Sequence, residues 1–175
     1  MGLKMEIKPL IPSEKIQARI AELSGQIQKD MGGKRLTVVG VLKGSFIFMA
    51  DLVRQLQIPV TCDFLRMASY DSAGRSTGAT RLEFDLTQPI EGKDVLLVED
   101  IVDAGLTASY LLKHLKDKGP RSVKLCALLH KPVDQVRLPI DYLGFEIPNV
   151  YVVGFGMDLD GEYRSLPYIA GVVQK

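Results

Sequence analysis

Apolar residues recur along this chain with two different periods. Ile16, Ile20, Leu23 and Ile27 fall at four-, three- and four-residue intervals, the spacing that paints one face of a helix. Ser13 precedes the run as a candidate N-cap, and Gly32-Gly33 follows it as a stop. A second helical face, Phe46, Met49, Val53 and Leu56, begins after Lys43-Gly44-Ser45. A third, with Leu111, Leu112 and Leu115, ends at Gly119-Pro120. Between these helices lie short, nearly unbroken apolar runs: LTVVGVL from Leu36, DVLLV from Asp94 and VKLCALLH from Val123. Such runs suit strands covered on both sides. YLGFEI from Tyr142 and YVVGFGM from Tyr151 are two further strand candidates, separated by Pro148-Asn149. VTCDFLRMASY from Val60 is strand-like, and TRLEFDL alternates, with Leu82, Phe84 and Leu86 opposed to Arg81, Glu83 and Asp85. The intervening DSAGRSTGAT has no large apolar residue, and its length predicts a mobile, functional loop.

Strands that alternate with helices imply right-handed crossovers and an α/β fold with a mostly parallel central sheet flanked by helices. In such sheets ligands gather at the carboxyl ends of the strands. Lys43, Glu99, Asp100, Lys131 and Asp158 each follow an apolar strand candidate. The pattern therefore predicts that they converge on one edge.

Composition adds exclusions. A chain of 175 residues with no repeat or linker reads as one domain. A formal net charge of +1 gives no support to a nucleic-acid coat or a polybasic membrane anchor. No apolar run reaches the roughly 20 residues of a membrane span, and the first residues lack the apolar core of a secretory signal. Cys62 and Cys126 have no metal-ligand spacing and lie in apolar runs, so both read as reduced core residues. The expectation is a cytoplasmic globular protein.

The candidate chemistry centres on VLLVEDIVDAGLTASYLLKHL, where a buried strand runs into Glu99, Asp100 and Asp103 before a helix. Charge at such a place is costly unless something positive or hydrogen-donating is held there. One reading makes Asp103 a helix N-cap and leaves the other acids solvated. The other wraps Asp103 to Thr107 around an anion, using backbone N–H groups, hydroxyls and the positive start of the helix. Gly105 would let the backbone approach that anion, and Glu99 and Asp100 would take hydroxyls or hydrated magnesium beside it. A phosphate flanked by hydroxyls describes a phosphorylated ribose. The chain has no GxxxxGKS or GxxxxGKT motif and no GxGxxG after a strand, which argues against P-loop and dinucleotide sites. Asp158-Leu159-Asp160-Gly161 matches a phosphatase DxDG only weakly.

VLLVEDIVDAGLT resembles the phosphoribosyl-pyrophosphate motif of the type I phosphoribosyltransferases, in the form found in their 6-oxopurine (hypoxanthine-guanine) branch. LKGS at Leu42, SYDSAGRSTG at Ser69, LLHKP at Leu128 and YVVGFGMDLDGEYRSLP at Tyr151 extend the resemblance over most of the chain. It implies the type I fold: a core of about residues 36–156, a small hood from the N-terminal segment and about residues 150–175, and a flexible antiparallel hairpin. It implies transfer of phosphoribosyl from phosphoribosyl pyrophosphate to N9 of hypoxanthine or guanine, giving IMP or GMP and pyrophosphate, with magnesium.

The resemblance also assigns roles. Asp103 handles the purine N7 proton. Glu99 and Asp100 hold the ribose hydroxyls, directly or through magnesium, and Asp103, Ala104, Gly105, Leu106 and Thr107 cradle the 5′-phosphate. Lys131 donates to the 6-oxo group, which adenine's 6-amino group would match poorly. Tyr151 stacks on the base, main-chain groups of Val152 and Asp158 read its other edge, and Asp158 takes a second magnesium. Lys43 and Gly44, after an unusual cis peptide at Leu42-Lys43, meet pyrophosphate together with Arg164. Ser69 and Tyr70 lead a closing loop. Ala104 and Leu106 depart from the Thr or Ser and the Lys of some relatives, which implies weaker phosphate binding. A homodimer or homotetramer is implied, with no nucleic-acid or membrane partner. Two alternatives stand beside this: a nucleic-acid-binding regulator on the same fold, and a sibling enzyme for adenine, orotate or uracil. Asp103 with Lys131 disfavours both.

Overall fold

The computed structural model describes residues 5–68, 81–132 and 138–174. Six strands form the main sheet in the order β4-β3-β2-β5-β6-β7. They are β2 (Leu36–Leu42), β3 (Val60–Ala68), β4 (Arg81–Phe84), β5 (Asp94–Val102), β6 (Ser122–His130) and β7 (Tyr142–Glu146). All neighbours pair in parallel except β4, which runs antiparallel to β3 at one edge.

Alternation along the central strands sends side chains to two different cores. Val38, Leu96, Val98, Cys126 and Leu128 pack with helices α1 (Ser13–Met31) and α2 (Phe46–Gln55). Val39, Val41, Val95, Leu97, Leu125 and Ala127 pack with α3 (Leu106–Lys116). A sheet covered on both faces needs apolar residues at every position, which explains the unbroken runs. A second sheet, antiparallel and three-stranded, joins β1 (Met5–Ile11), β9 (Ile169–Gln174) and β8 (Val152–Val153) in the order β1-β9-β8.

Several local expectations change. Ser13 is the first residue of α1 and makes no capping bond; the Pro12 carbonyl instead accepts from Lys15 and Ile16 N–H. The buried face of α2 is Phe48, Met49 and Leu52, whereas Phe46 is exposed. The β5 strand continues through the acids to Val102, because its ladder with β6 persists to the Val102–His130 pair. YVVGFGM contributes only Val152–Val153 as strand. Cys126 is buried, but Cys62 is exposed on β3. On α3 the His114 Nε2 lies 3.0 Å from both carboxylate oxygens of Asp85. Ser69, Tyr70 and the loop they lead lie outside the described residues.

The sheet order places the site. From β2 the chain moves outward to β3, and from β5 it moves outward in the opposite direction to β6 and β7. Crossovers leaving two adjacent strands in opposite directions open a crevice at their carboxyl ends. At that crevice β2 ends in Lys43-Gly44, and β5 brings Asp100.

Candidate active site

A pocket of about 280 Å³ fills the crevice, lined by Lys43, Gly44, Asp100, Ile101 and Lys131 from the main sheet. Tyr151, Val152, Met157, Asp158 and Arg164 close it from the segment around β8. Of the acids and lysines that the sequence placed at strand ends, Lys43, Asp100, Lys131 and Asp158 meet here. Glu99 does not line the pocket; it is buried within β5, opposite Ala127 of β6. Ile101 and Met157 do line it and were not expected from sequence. Both are ordinary apolar residues inside strand-like runs, so nothing local distinguishes them from core.

The floor is made by close backbone approach. The Leu42–Lys43 peptide is cis. A Cβ on Gly44 would collide with the Asp100 carboxylate, so glycine is what lets the β2 turn lie against the end of β5. Burial pushes the Asp100 carboxyl up to about 6, and the charge of Asp158 adds to that, while backbone N–H donors and Arg164 oppose it. Burial, followed by repulsion from Asp100, raises Glu99 well above the usual carboxylate range.

The turn after β5 separates the two sequence readings of Asp103. Helix α3 starts at Leu106 with Gly105 at the cap position, φ 76°, and no side chain caps it. Asp103 is therefore not an N-cap. Among the described residues no side chain takes up the first N–H groups of α3, and Gly105 takes the left-handed conformation that side-chain-bearing residues rarely adopt. Asp103 is exposed, with its carboxylate 4.0 Å from the ammonium of the buried Lys131. Lys131 is fixed there because its backbone N–H donates to the Val102 carbonyl at 3.0 Å, locking the ends of β5 and β6 together.

The opposite wall is tied together by polar bonds. Arg164 pairs with the Asp158 carboxylate at 2.7 Å and donates to the Gly156 carbonyl at 2.7 Å. The Gly161 N–H donates to the other Asp158 carboxylate oxygen at 2.8 Å, and the Tyr151 hydroxyl donates to the Asp158 carbonyl at 2.9 Å. The arrangement offers cations at two walls, carboxylates at the floor and the far wall, an exposed aromatic face and an uncapped helix start. It is suited to a ligand that is anionic at two places and flat at a third.

The family model for the phosphoribosyl transferase domain matches residues 10–160. The hypoxanthine-guanine phosphoribosyltransferase of Mycobacterium tuberculosis is 45% identical over 167 residues, covering 91% of this chain and 83% of that protein. The crystal structure of a hypoxanthine-guanine phosphoribosyltransferase from Bacillus anthracis superposes with a TM-score of 0.89 at 43% identity, over 97% of this chain and 99% of that one. A mutant hypoxanthine phosphoribosyltransferase of Trypanosoma cruzi, complexed with the product IMP, has a TM-score of 0.87 at 38% identity, covering 96% of this chain and 90% of that one. The chain belongs to the phosphoribosyl transferase family and, within it, to the hypoxanthine-guanine phosphoribosyltransferases. It is a transferase, and the family assignment leaves the regulator reading without support.

Proposed function

We propose that this enzyme serves purine salvage by transferring phosphoribosyl from phosphoribosyl pyrophosphate to N9 of hypoxanthine or guanine, releasing pyrophosphate and forming IMP or GMP. The observation that carries the reading is one pocket lined both by Lys131, Tyr151 and Val152 and by the charged or phosphate-compatible groups of Asp100, Asp158, Gly44 and Arg164. The base takes the first set. Lys131 donates to the 6-oxo group, Tyr151 covers the ring, and main-chain groups of Val152 and Asp158 meet the opposite edge. Asp103, next to Lys131, holds the N7 proton as N9 attacks. The open start of α3, from Asp103 and Ala104 through Gly105 and Leu106 to Thr107, grips the 5′-phosphate.

Asp100 holds the ribose hydroxyls from the floor, and its charge favours the cationic sugar that develops as pyrophosphate leaves. Glu99 is assigned to the same hydroxyls, but from its buried position in β5 it reaches them only if the strand end turns outward. Lys43, Gly44 and Arg164 receive pyrophosphate. Ser69 and Tyr70 lead the loop that would close over the reacting centre and exclude water.

Magnesium fits this donor set. Asp100 and Asp158 are two carboxylates in one pocket, and the ion ordinarily takes one or two carboxylates with substrate phosphates and water. Among the described residues no cluster of three or more His, Cys, Asp or Glu makes a protein cage, so further ligands have to come from substrate and solvent. When bound, the ion would offset the charge of the departing pyrophosphate. The main sheet is read as the core, about residues 36–156, and the N-terminal segment with about residues 150–175 as the hood. The assembled form is read as a homodimer or homotetramer, and the location as cytoplasmic. No helix of the described residues is long and apolar enough to cross a membrane.

A spectrophotometric assay with phosphoribosyl pyrophosphate, magnesium and each base in turn tests the reading. Turnover of hypoxanthine and guanine is expected. Turnover of adenine with both 6-oxopurines inert overturns the base assignment, and tight binding of RNA with no base consumed restores the regulator.

A further inference from the structure

The Asp158 residue is held at three oxygens by three different groups: its carbonyl by the Tyr151 hydroxyl, one carboxylate oxygen by Arg164 and the other by the Gly161 N–H. The segment around it is bent in a way that needs such restraint. Phe155, Asp160 and Tyr163, none of them glycine, have φ of 51°, 52° and 69°. Left-handed conformations at bulky residues persist only where surrounding contacts over-determine them. Arg164 is itself tied back to Gly156 in both directions, through its side chain to the Gly156 carbonyl and through its own carbonyl to the Gly156 N–H. Gly156 in turn packs directly on the Gly44 carbonyl, where a Cβ would collide. An unbroken set of contacts therefore runs from Tyr151, which lines the pocket, through Asp158 and Arg164 to Gly156 and on to Gly44, which lines it too.

We propose that Tyr151 is a positioning residue for the pyrophosphate-binding groups of the pocket, acting through its hydroxyl on Asp158 and hence on Arg164, in addition to covering the base with its ring. This rests on the reading of Arg164 and Gly44 as the pyrophosphate site. A ring deletion and a hydroxyl deletion then have different signatures. Tyr151→Phe keeps the flat face but releases the Asp158 carbonyl, leaving Asp158 and Arg164 with one fewer anchor. Tyr151→Leu removes both. Because linkage is reciprocal, purine bound against the ring steadies the tyrosine and so tightens pyrophosphate, and the Phe variant loses that gain.

The test uses the full-length chain. Magnesium pyrophosphate is titrated calorimetrically into wild type, Tyr151→Phe and Tyr151→Leu, and initial rates are measured with hypoxanthine and phosphoribosyl pyrophosphate varied in turn. For Tyr151→Phe, pyrophosphate Kd rises roughly three- to tenfold, the range of one lost hydrogen bond. The KM for phosphoribosyl pyrophosphate rises more than the KM for hypoxanthine, whereas Tyr151→Leu raises both. An unchanged pyrophosphate Kd in the Phe variant overturns the proposal. So does a Phe variant whose hypoxanthine KM rises as much as its phosphoribosyl pyrophosphate KM, since that marks general loosening of the wall. If wild type turns over no purine yet binds pyrophosphate, the proposed reaction falls, and the titration still decides the role of the hydroxyl. If wild type fails to bind pyrophosphate, both readings fall.

Discussion

Replacing Lys131 with methionine isolates the contact on which the proposed base choice rests. The side chain is 11% exposed and lines the pocket, and its ammonium lies 4.0 Å from Asp103. Methionine keeps an unbranched stem of similar reach, and the backbone bond from residue 131 to the Val102 carbonyl at 3.0 Å does not depend on the side chain. The fold should therefore survive while the charged donor disappears. A hydrogen bond to a charged group contributes about 1.5–3 kcal/mol. At about 1.4 kcal/mol per factor of ten, kcat/KM for hypoxanthine should fall roughly 10- to 150-fold. Loss of the pair with Asp103 adds little. That carboxylate is 56% exposed, and water screening keeps such pairs below about 1 kcal/mol. Adenine should meanwhile be rejected less strongly, because its 6-amino group no longer faces an ammonium. The assay is a continuous spectrophotometric rate with each base, alongside thermal melting as a control on folding. A hypoxanthine kcat/KM within about threefold of wild type in a folded variant would refute the 6-oxo contact.

Three further outcomes are expected. Asp103→Asn should lower kcat at least about tenfold with an unchanged melting curve, as loss of a general base requires; a pre-steady-state burst would reveal product release masking the step, and an unchanged single-turnover rate would remove Asp103 from the role. Gly44→Ala should raise the KM for phosphoribosyl pyrophosphate on the order of ten- to a hundredfold, because its Cβ displaces the Asp100 carboxylate at the floor; unchanged kinetics would show that the floor is not where the sugar sits. Asp100→Asn should melt higher than wild type at pH 7.5. Folding raises this carboxyl from 3.8 to about 6, so the folded state holds a proton that the unfolded state has released, and stability drops as pH rises through that window. The advantage of asparagine should reach at most about 3 kcal/mol above the window and vanish below about pH 4; a melting difference independent of pH would contradict the raised carboxyl.

The parallel core was legible in the sequence because a strand buried on both faces is apolar along nearly its whole length, as residues 38–42 and 95–98 are. Lys43, Asp100, Lys131 and Asp158 were legible as pocket residues for a related reason, since charge directly after an apolar run stands out, although Asp100 lies inside β5 and Asp158 five residues beyond β8. Glu99 stays out of the pocket because the ladder carries β5 past it to Val102 and successive side chains point to opposite faces, so Asp100 reaches the pocket and Glu99 is buried. The strands β1 and β9 went unread because their pairing, Met5 with Gln174, joins opposite ends of the chain and leaves no local trace. In α2 the buried face keeps Met49 but takes Phe48 and Leu52 in place of Phe46 and Val53, which reflects packing on α1 and the sheet that periodicity alone does not orient. The ties among Tyr151, Asp158, Gly156 and Arg164 depend on loop conformation, including three left-handed residues, and no spacing rule would have found them.

The small sheet has a consequence for the newborn chain. Val152 and Val153 are paired to Gly171 and Ala170, and that strand is paired in turn to the first described residues. All six strands of the main sheet precede residue 169, so the half proposed to grip phosphate can fold while translation continues. Strand β8, beside the proposed purine wall, has no partner strand until residues 169–174 have left the ribosome, so the pocket should close abruptly after the main sheet has formed.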